Sequence, residues 1–362
     1  MKSKIITAIV ALVIVLLMGM GYKSAADHRA HSGADGSFNV KETIFEHLGD
    51  SYGWEVPFNH SYSIPLPVIV WGKDGLCCFM SNRITDTVGV SSYKGYKIST
   101  GEKYHGKVVQ VLPDGSEYRP WDFSITKNVL GLFISAFIVA LMLLGLKRWY
   151  SRNGLKAPRG FKGALELVFD FVYTDTIRPI MGKHAPKYAP YLLTAFFFIL
   201  TMNLLGLIVI FPGGANLTGN IAVTFVLALL TFIITNLSGT REYWKEIFWP
   251  DVPLMLKLPA PIMPLVEVLG LFTKPMALMI RLFANMMSGH MVVIVLVSLI
   301  FIFSTQFSVG VGAATSIFSM AFSLFMLLLD ILISFIQAYV FTLLSTIFIS
   351  MAIVEPHAHE AK

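Results

Sequence analysis

Two stretches near the C-terminus, Ile262–Phe303 and Ser316–Val354, each run for about 40 residues with very few charges. As a helix, such a stretch is roughly 60 Å long, twice the hydrocarbon thickness of a bilayer. It cannot stand upright there, so each either folds into a hairpin or lies strongly tilted. Ile262–Phe303 has no polar turn at its middle, and Lys274-Pro275 favours a bend over a reversal. The expected arrangement is two long, steeply tilted helices packed as an antiparallel pair. A polar, glycine-containing link around Ser304–Ala313 should join them.

Composition places the whole chain in the same setting. Hydrophobic residues make up 55% of the 362 and charged ones 14%, against about 25% charged in a soluble domain. The net charge of +6 does not imply nucleic acid, because the basic residues sit beside apolar runs and form no single patch. Val129–Leu146 is apolar and is followed by Lys147, Arg148, Arg152, Lys156, Arg159 and Lys162 with no acid between them. By the positive-inside rule this cluster is cytoplasmic, which places residues 27–125 outside. Phe161–Met181 spaces its apolar residues as a helix lying on the membrane surface. Tyr191–Phe211 then crosses outward, Pro212-Gly213-Gly214 turns, and Asn220–Gly239 crosses back to a loop marked by Arg241, Lys245 and Lys257. With the two long segments this makes five crossings and a polar C-terminus, Glu355–Lys362, inside. The fold class is an all-α polytopic membrane protein with a small exported N-terminal region that has some β structure.

The three parts are residues 1–26, 27–125 and 126–362. The first has Lys2 and Lys4, an apolar run from Ile5 to Met20, and the small residues Ser24-Ala25-Ala26, the order of a secretory signal; an uncleaved anchor is the other reading. The second is polar, with candidate strands at Ile64–Trp71 and Val108–Leu112 and a turn at Pro113-Asp114-Gly115. Its His28, His31, His60 and His105 lack metal-ligand spacing, and the adjacent Cys77 and Cys78 offer neither a zinc site nor a disulfide framework. No GxxxxGK[ST] loop occurs in the chain, so no nucleotide site is expected; no cofactor or metal is expected either.

The third part holds ionisable groups at membrane depth. Each costs about 2.5–3.5 kcal/mol on insertion scales and marks an ion path by default. Arg281 lies near the middle of the first long segment, Glu267 before it and His290 after; Asp330 and Gln337 lie in the second. Arg281, Asn285 and Ser288 stand at i, i+4 and i+7 on one helical stripe, and Asp330, Ser334 and Gln337 repeat that spacing. His290, about 13 Å further along the axis and half a turn out of phase, points away from the arginine stripe. A structural alternative pairs Arg281 with Asp330 as a clamp between helices, and His290 taken alone is as readily a packing residue as a proton carrier.

The stretch from Lys274-Pro275 through RLFANMMSGH (Arg281–His290) resembles the signature of subunit a of the bacterial F-type ATP synthase. The last helix, ILISFIQAYVFTLLSTIFISMA, is similar to that of the family, as are KYAPY, MNLLGL and TGNIAVT upstream, all in family order over residues 161–355. The resemblance implies a stator subunit of the membrane sector. Its two half-channels would serve a rotating ring of c subunits and couple proton flow to ATP synthesis, with nucleotide chemistry left to partner subunits. It implies the c ring, b subunits and the rest of the complex as partners, with no nucleic acid, in the bacterial inner membrane. Carried over by position, Arg281 is the arginine facing the ring, Gln337 the glutamine of the last helix, Asn285 the asparagine one turn past the arginine, and Glu267 a glutamate on the cytoplasmic side. His290 stands where many bacterial members have glutamate and Asp330 where they have histidine, so acid and imidazole are exchanged. Gly206 stands where some members carry aspartate. Asn203 would join Asn285 as polar lining of the external half-channel.

Two other classes fit parts of the pattern. A secondary transporter would show internal repeats with paired broken helices, and no repeat is found. A membrane-anchored sensor using residues 27–125 would not need Arg281 or Asp330 in the bilayer.

Overall fold

The structure, a computed structural model, describes residues 49–56, 59–86, 89–90, 92–99, 101, 104, 106–154, 156–208, 214–248, 262–306 and 309–353. The expected signal at residues 1–26, His28, His31, His105, Lys257 and the C-terminus from Glu355 lie outside these. The described residues group into two compact units. One takes those up to Gly131 with those in 208–215 and 291–325; the other takes 132–207, 216–290 and those from 326 on.

The first unit begins with ten short strands. They are β1 (Gly53–Val56), β2 (Asn59–Pro65), β3 (Pro67–Gly72), β4 (Gly75–Met80), β5 (Thr85–Asp86), β6 (Gly89–Val90), β7 (Tyr96–Ile98), β8 (Val108–Val111), β9 (Glu117–Tyr118) and β10 (Trp121–Asp122). All pairings are antiparallel, in the orders β1-β2, β10-β3-β4, β5-β6 and β7-β8-β9. The strand expected at Ile64–Trp71 is divided at Leu66. Pro65 and Pro67 cannot donate to a ladder, so the chain leaves β1 and takes up β4 there. Alternation along β3 buries Val68 and Val70 against Tyr52, Phe79, Ile84, Tyr96 and Val108.

Tyr52 carries the polar tie of this core. Its hydroxyl donates to Asp122 Oδ2 at 2.5 Å and accepts from the Val108 N–H at 3.3 Å. Burial first, and then the Asp122 hydrogen bond, push its titration upward, so it stays a donor at any ordinary pH. Tyr52→Phe removes a bond to a charged group and should cost about 1.5–3 kcal/mol. The loss is measurable as a lower urea midpoint in tryptophan emission; an unchanged midpoint would mean water replaces the phenol at no cost.

The α-helices of eight residues or more among the described residues are α1 (Lys127–Asn153), α2 (Phe161–Asp170), α3 (Ala185–Leu207), α4 (Ile221–Ser238), α5 (Arg241–Phe248), α6 (Ile262–Gln306) and α7 (Val309–Ala352). Among the described residues, five stretches are long and apolar enough to cross a membrane: Lys127–Asn153, Phe161–Leu207, Ile221–Ser238, Leu265–Leu296 and Thr315–Ala352. The chain is thus a mostly helical polytopic membrane protein with a β-containing N-terminal region.

Within Phe161–Leu207 the helix is not uniform. α2 passes into a π-helical stretch, Phe171–Ile177, and then Gly182, at φ 52°, breaks the direction before α3. The helix that carries this crossing therefore starts at Ala185, six residues before the apolar run that begins at Tyr191. α4 is capped by Asn220, whose side chain accepts from the Ala222 N–H.

α6 and α7 have 45 and 44 residues, each about 66–68 Å long, more than twice the hydrocarbon thickness. α6 stays helical through Pro275, and both helices run into the expected link, leaving only residues 307–308 between them. In the second unit the two are antiparallel: Asn285 meets Gln337, Gly289 meets Asp330, and Lys274 lies over the Phe348 ring. Ser334, Thr342 and Thr346 return their hydroxyls to carbonyls one turn back at 2.7, 3.0 and 2.7 Å and are buried without an orphaned donor.

Candidate functional site

The polar residues of α6 and α7 do not form one cluster. They divide into an exposed stripe and a cleft. On the stripe, Arg281, Asn285 and Ser288 all face outward from the chain. Among the described residues Arg281 has neither an ion pair nor a hydrogen bond, and the ion pair formed is Lys97–Glu117 in the β unit. The alternative in which Arg281 clamps Asp330 is therefore not the arrangement adopted.

The cleft, a narrow one, lies among α3, α6 and α7 and is lined by Asn203, Asn285, His290, Asp330, Ser334 and Gln337. Asn285 belongs to both surfaces, since its Nδ2 donates to Gln337 Oε1 at 2.6 Å. Gln337 is buried, as is Asn203, whose Oδ1 accepts from Thr218 Oγ1 at 2.7 Å. Thr218 belongs to the segment before α4, in which Asn216 also accepts the Gly219 N–H at 3.0 Å. Gly289 sets the width of the cleft. A Cβ built on it would lie 2.8 Å from Asp330 Oδ1 and 3.1 Å from its Cγ, so the carboxylate rests against the α6 backbone beside His290.

A second narrow recess lies on the other side of Arg281 along α6. It is lined by Thr231, Thr235, Asn236, Tyr243, Lys274 and Phe348, among others. Thr235 Oγ1 and Asn236 Oδ1 are buried there without a protein partner among the described residues, and such atoms ordinarily take water. Glu267 lines neither recess but lies close enough to act on Tyr243 of α5, whose hydroxyl is pushed up first by burial and then by the Glu267 charge.

Of the seven candidates from the sequence, the first cleft brings together His290, Asp330, Gln337, Asn285 and Asn203; Arg281 and Glu267 stand apart from it. Sequence reasoning did not find Gly289, Thr218 or the second recess. A glycine beside a histidine carries no periodic signal, and Thr235 and Asn236 read as ordinary residues of an apolar crossing.

Residues 130–350 match the family described as ATP synthase A chain. Residues 43–123 match a family described only as a domain of unknown function. The proteins named ATP synthase subunit a from Chloroherpeton thalassium and Myxococcus xanthus are 42% and 41% identical, covering 67% and 71% of this chain and 70% and 80% of their own. The one from Anaeromyxobacter dehalogenans is 39% identical over 79% of this chain and 74% of its own. Five apolar spans, intramembrane ionisable groups on two oversized helices and these matches agree: the chain belongs to the ATP synthase A chain family, the membrane-sector subunit a of F-type, proton-transporting ATP synthases.

Proposed function

We propose that this chain is the proton-conducting stator, with two half-channels that open on opposite sides of the level of Arg281. The observation that carries it is the separation of the two recesses. The first is lined on α6 by Asn285 and His290, beyond Arg281, and the second by Leu271, Lys274 and Leu278, before it; Arg281 lines neither. A proton arriving through the first cleft meets His290 and Asp330, with Asn203, Asn285 and Gln337 as polar lining. It passes to a carboxylate on a neighbouring ring of c subunits and, after rotation of the ring, leaves through the second recess beside Glu267.

Arg281 suits the division between them because guanidinium keeps its charge at any relevant pH. It attracts the deprotonated ring carboxylate and opposes direct proton passage between the half-channels. Imidazole suits the first cleft because its ordinary pKa of about 6.5 lets it give and take protons near neutrality. Each charge moved across 100 mV supplies about 2.3 kcal/mol. The basic cluster Lys147–Lys162, cytoplasmic by the positive-inside rule, supports a β unit outside and a second recess that opens toward the cytoplasm of a bacterial inner membrane. The b subunits and the remaining complex complete the stator.

Cross-linking tests the ring contact. A thiol at Ala284, exposed on the Arg281 stripe, should form a disulfide with a thiol placed beside the ring carboxylate in the assembled complex. A thiol at Thr342, fully buried, should not. No cross-link from Ala284 would turn the stripe away from the ring and sink the proposal.

A further inference from the structure

One face of the β10-β3-β4 sheet is apolar and open. β3 and β4 turn Val68, Val70 and Phe79 into the core, so the alternate residues point the other way. Trp121, Trp71 and Leu76 form one cross-strand row, and are 73%, 59% and 65% exposed. Phe123 follows at 60%, and Cys78 and Met80 continue the same face on β4. No residue in these positions is charged. Isolated exposed apolar residues are ordinary, but a contiguous face with two tryptophans marks a surface that meets something apolar.

The chain's path identifies what it meets. After β10 the backbone continues along β3, with the Phe123 N–H on Ile69 O at 2.9 Å and the Ile125 N–H on Pro67 O at 3.1 Å. α1 begins two residues later, and its first turn is held to the same unit: Lys127 N–H donates to Ser51 O at 2.9 Å and Asn128 N–H to Asp50 Oδ1 at 3.2 Å. α1 is a membrane span. Trp121 is six residues from its start, no more than about 20 Å of extended chain. The sheet is thus tied to the first turn of α1, a few residues from the apolar run that begins at Val129. Tryptophan is enriched at the membrane–water interface, where its ring meets acyl chains and its N–H meets the headgroups.

We propose that this face lies on the membrane surface, with Trp71 and Trp121 seated in the lipid headgroup region. It relies on the chain being a membrane protein and not on the proton path.

Cys78 allows a direct test, since Cys77 and Cys78 are the chain's two cysteines. A nitroxide is attached to Cys78 in a Cys77→Ala complex whose other subunits carry no reactive thiol, reconstituted in phosphatidylethanolamine–phosphatidylglycerol vesicles. Oxygen, which concentrates in lipid, should relax the label several-fold more than a water-soluble nickel chelate. The ratio should reverse for a label on Asp114→Cys at the far turn, made in a Cys77→Ala/Cys78→Ala chain. Preference for nickel at Cys78 would put the face in water and overturn the proposal. Protection from both reagents would overturn it too, with residues before Gly49 or another subunit as the cover. A second measurement avoids the cysteine changes. Brominated lipid should quench the tryptophan emission of the wild-type complex, and Trp71→Phe/Trp121→Phe should remove part of the quenched emission. If the emission lost is the unquenched part, the tryptophans are not in lipid.

Discussion

Arg281→Ala is expected to bring ATP-driven acidification of inverted vesicles to background while the complex still assembles. The structural basis is the lack of any partner for this guanidinium among the described residues and its exposure on the α6 stripe. Truncating one member of a buried ion pair leaves the other charge unpaired and costs about 3–5 kcal/mol. Here no such member exists, so the chain should fold as well or better, relieved of about 2.5–3.5 kcal/mol of insertion cost. Loss of pumping would then be a loss of function and not of folding. Arg281→Lys separates charge from shape: it keeps the cation but gives up the planar fork, and should leave only a small residual rate. The passive proton leak should rise in the alanine variant, because the charge between the two recesses is gone. Normal pumping by an assembled Arg281→Ala complex would reduce this residue to a tolerated surface charge, and the stator mechanism would have to be withdrawn.

The second large effect is expected at Gly289, a position with no chemistry of its own. A Cβ there would come within 2.8 Å of Asp330 Oδ1 and 3.2 Å of Oδ2, well inside ordinary contact distance. Gly289→Ala must move the carboxylate, and Gly289→Val must also fill the cleft. Misplacing a reacting group by about 1 Å can cost 10²-fold in rate, and the valine variant should lose proton flux on that order. Gly270 on the same helix is the control, because nothing lies within 4 Å of a Cβ built there. Gly270→Ala should leave pumping intact and gain about 1 kcal/mol of helix propensity. The route through Asp330 is checked by a double variant: in an Asp330→Asn background, Gly289→Ala should add little. A further loss of similar size would mean that Gly289 acts on helix packing and not on the carboxylate.

Much of the membrane part was legible without coordinates, because crossing a bilayer is decided by local length and apolarity. The five spans stand near where the apolar runs put them, and the unusual length of α6 and α7 follows from counting residues. Boundaries moved where local geometry intervened. Gly182 brought the start of α3 forward to Ala185, and Pro65 with Pro67 cut one expected strand in two. Helix formation also ran further into the glycine-containing link than its composition implied, up to Gln306 and again from Val309.

Spacing along one helix was equally legible. Arg281, Asn285 and Ser288 had to share a stripe, and His290 had to leave it, because 3.6 residues make a turn. The sequence by itself therefore determined the class of fold, the spans, and which ionisable residues lie at membrane depth. What only the tertiary structure decided is which of them meet. Asn203 meets Thr218 across a chain reversal, Asn285 meets Gln337 across 52 residues, and Asp330 rests against Gly289 and not against Arg281. The register and rotation of two helices against each other come from how their facing residues meet, here Gly289 against Asp330 and Asn285 against Gln337. Those contacts are made only when both surfaces are present, so no periodicity within either helix could have stated them.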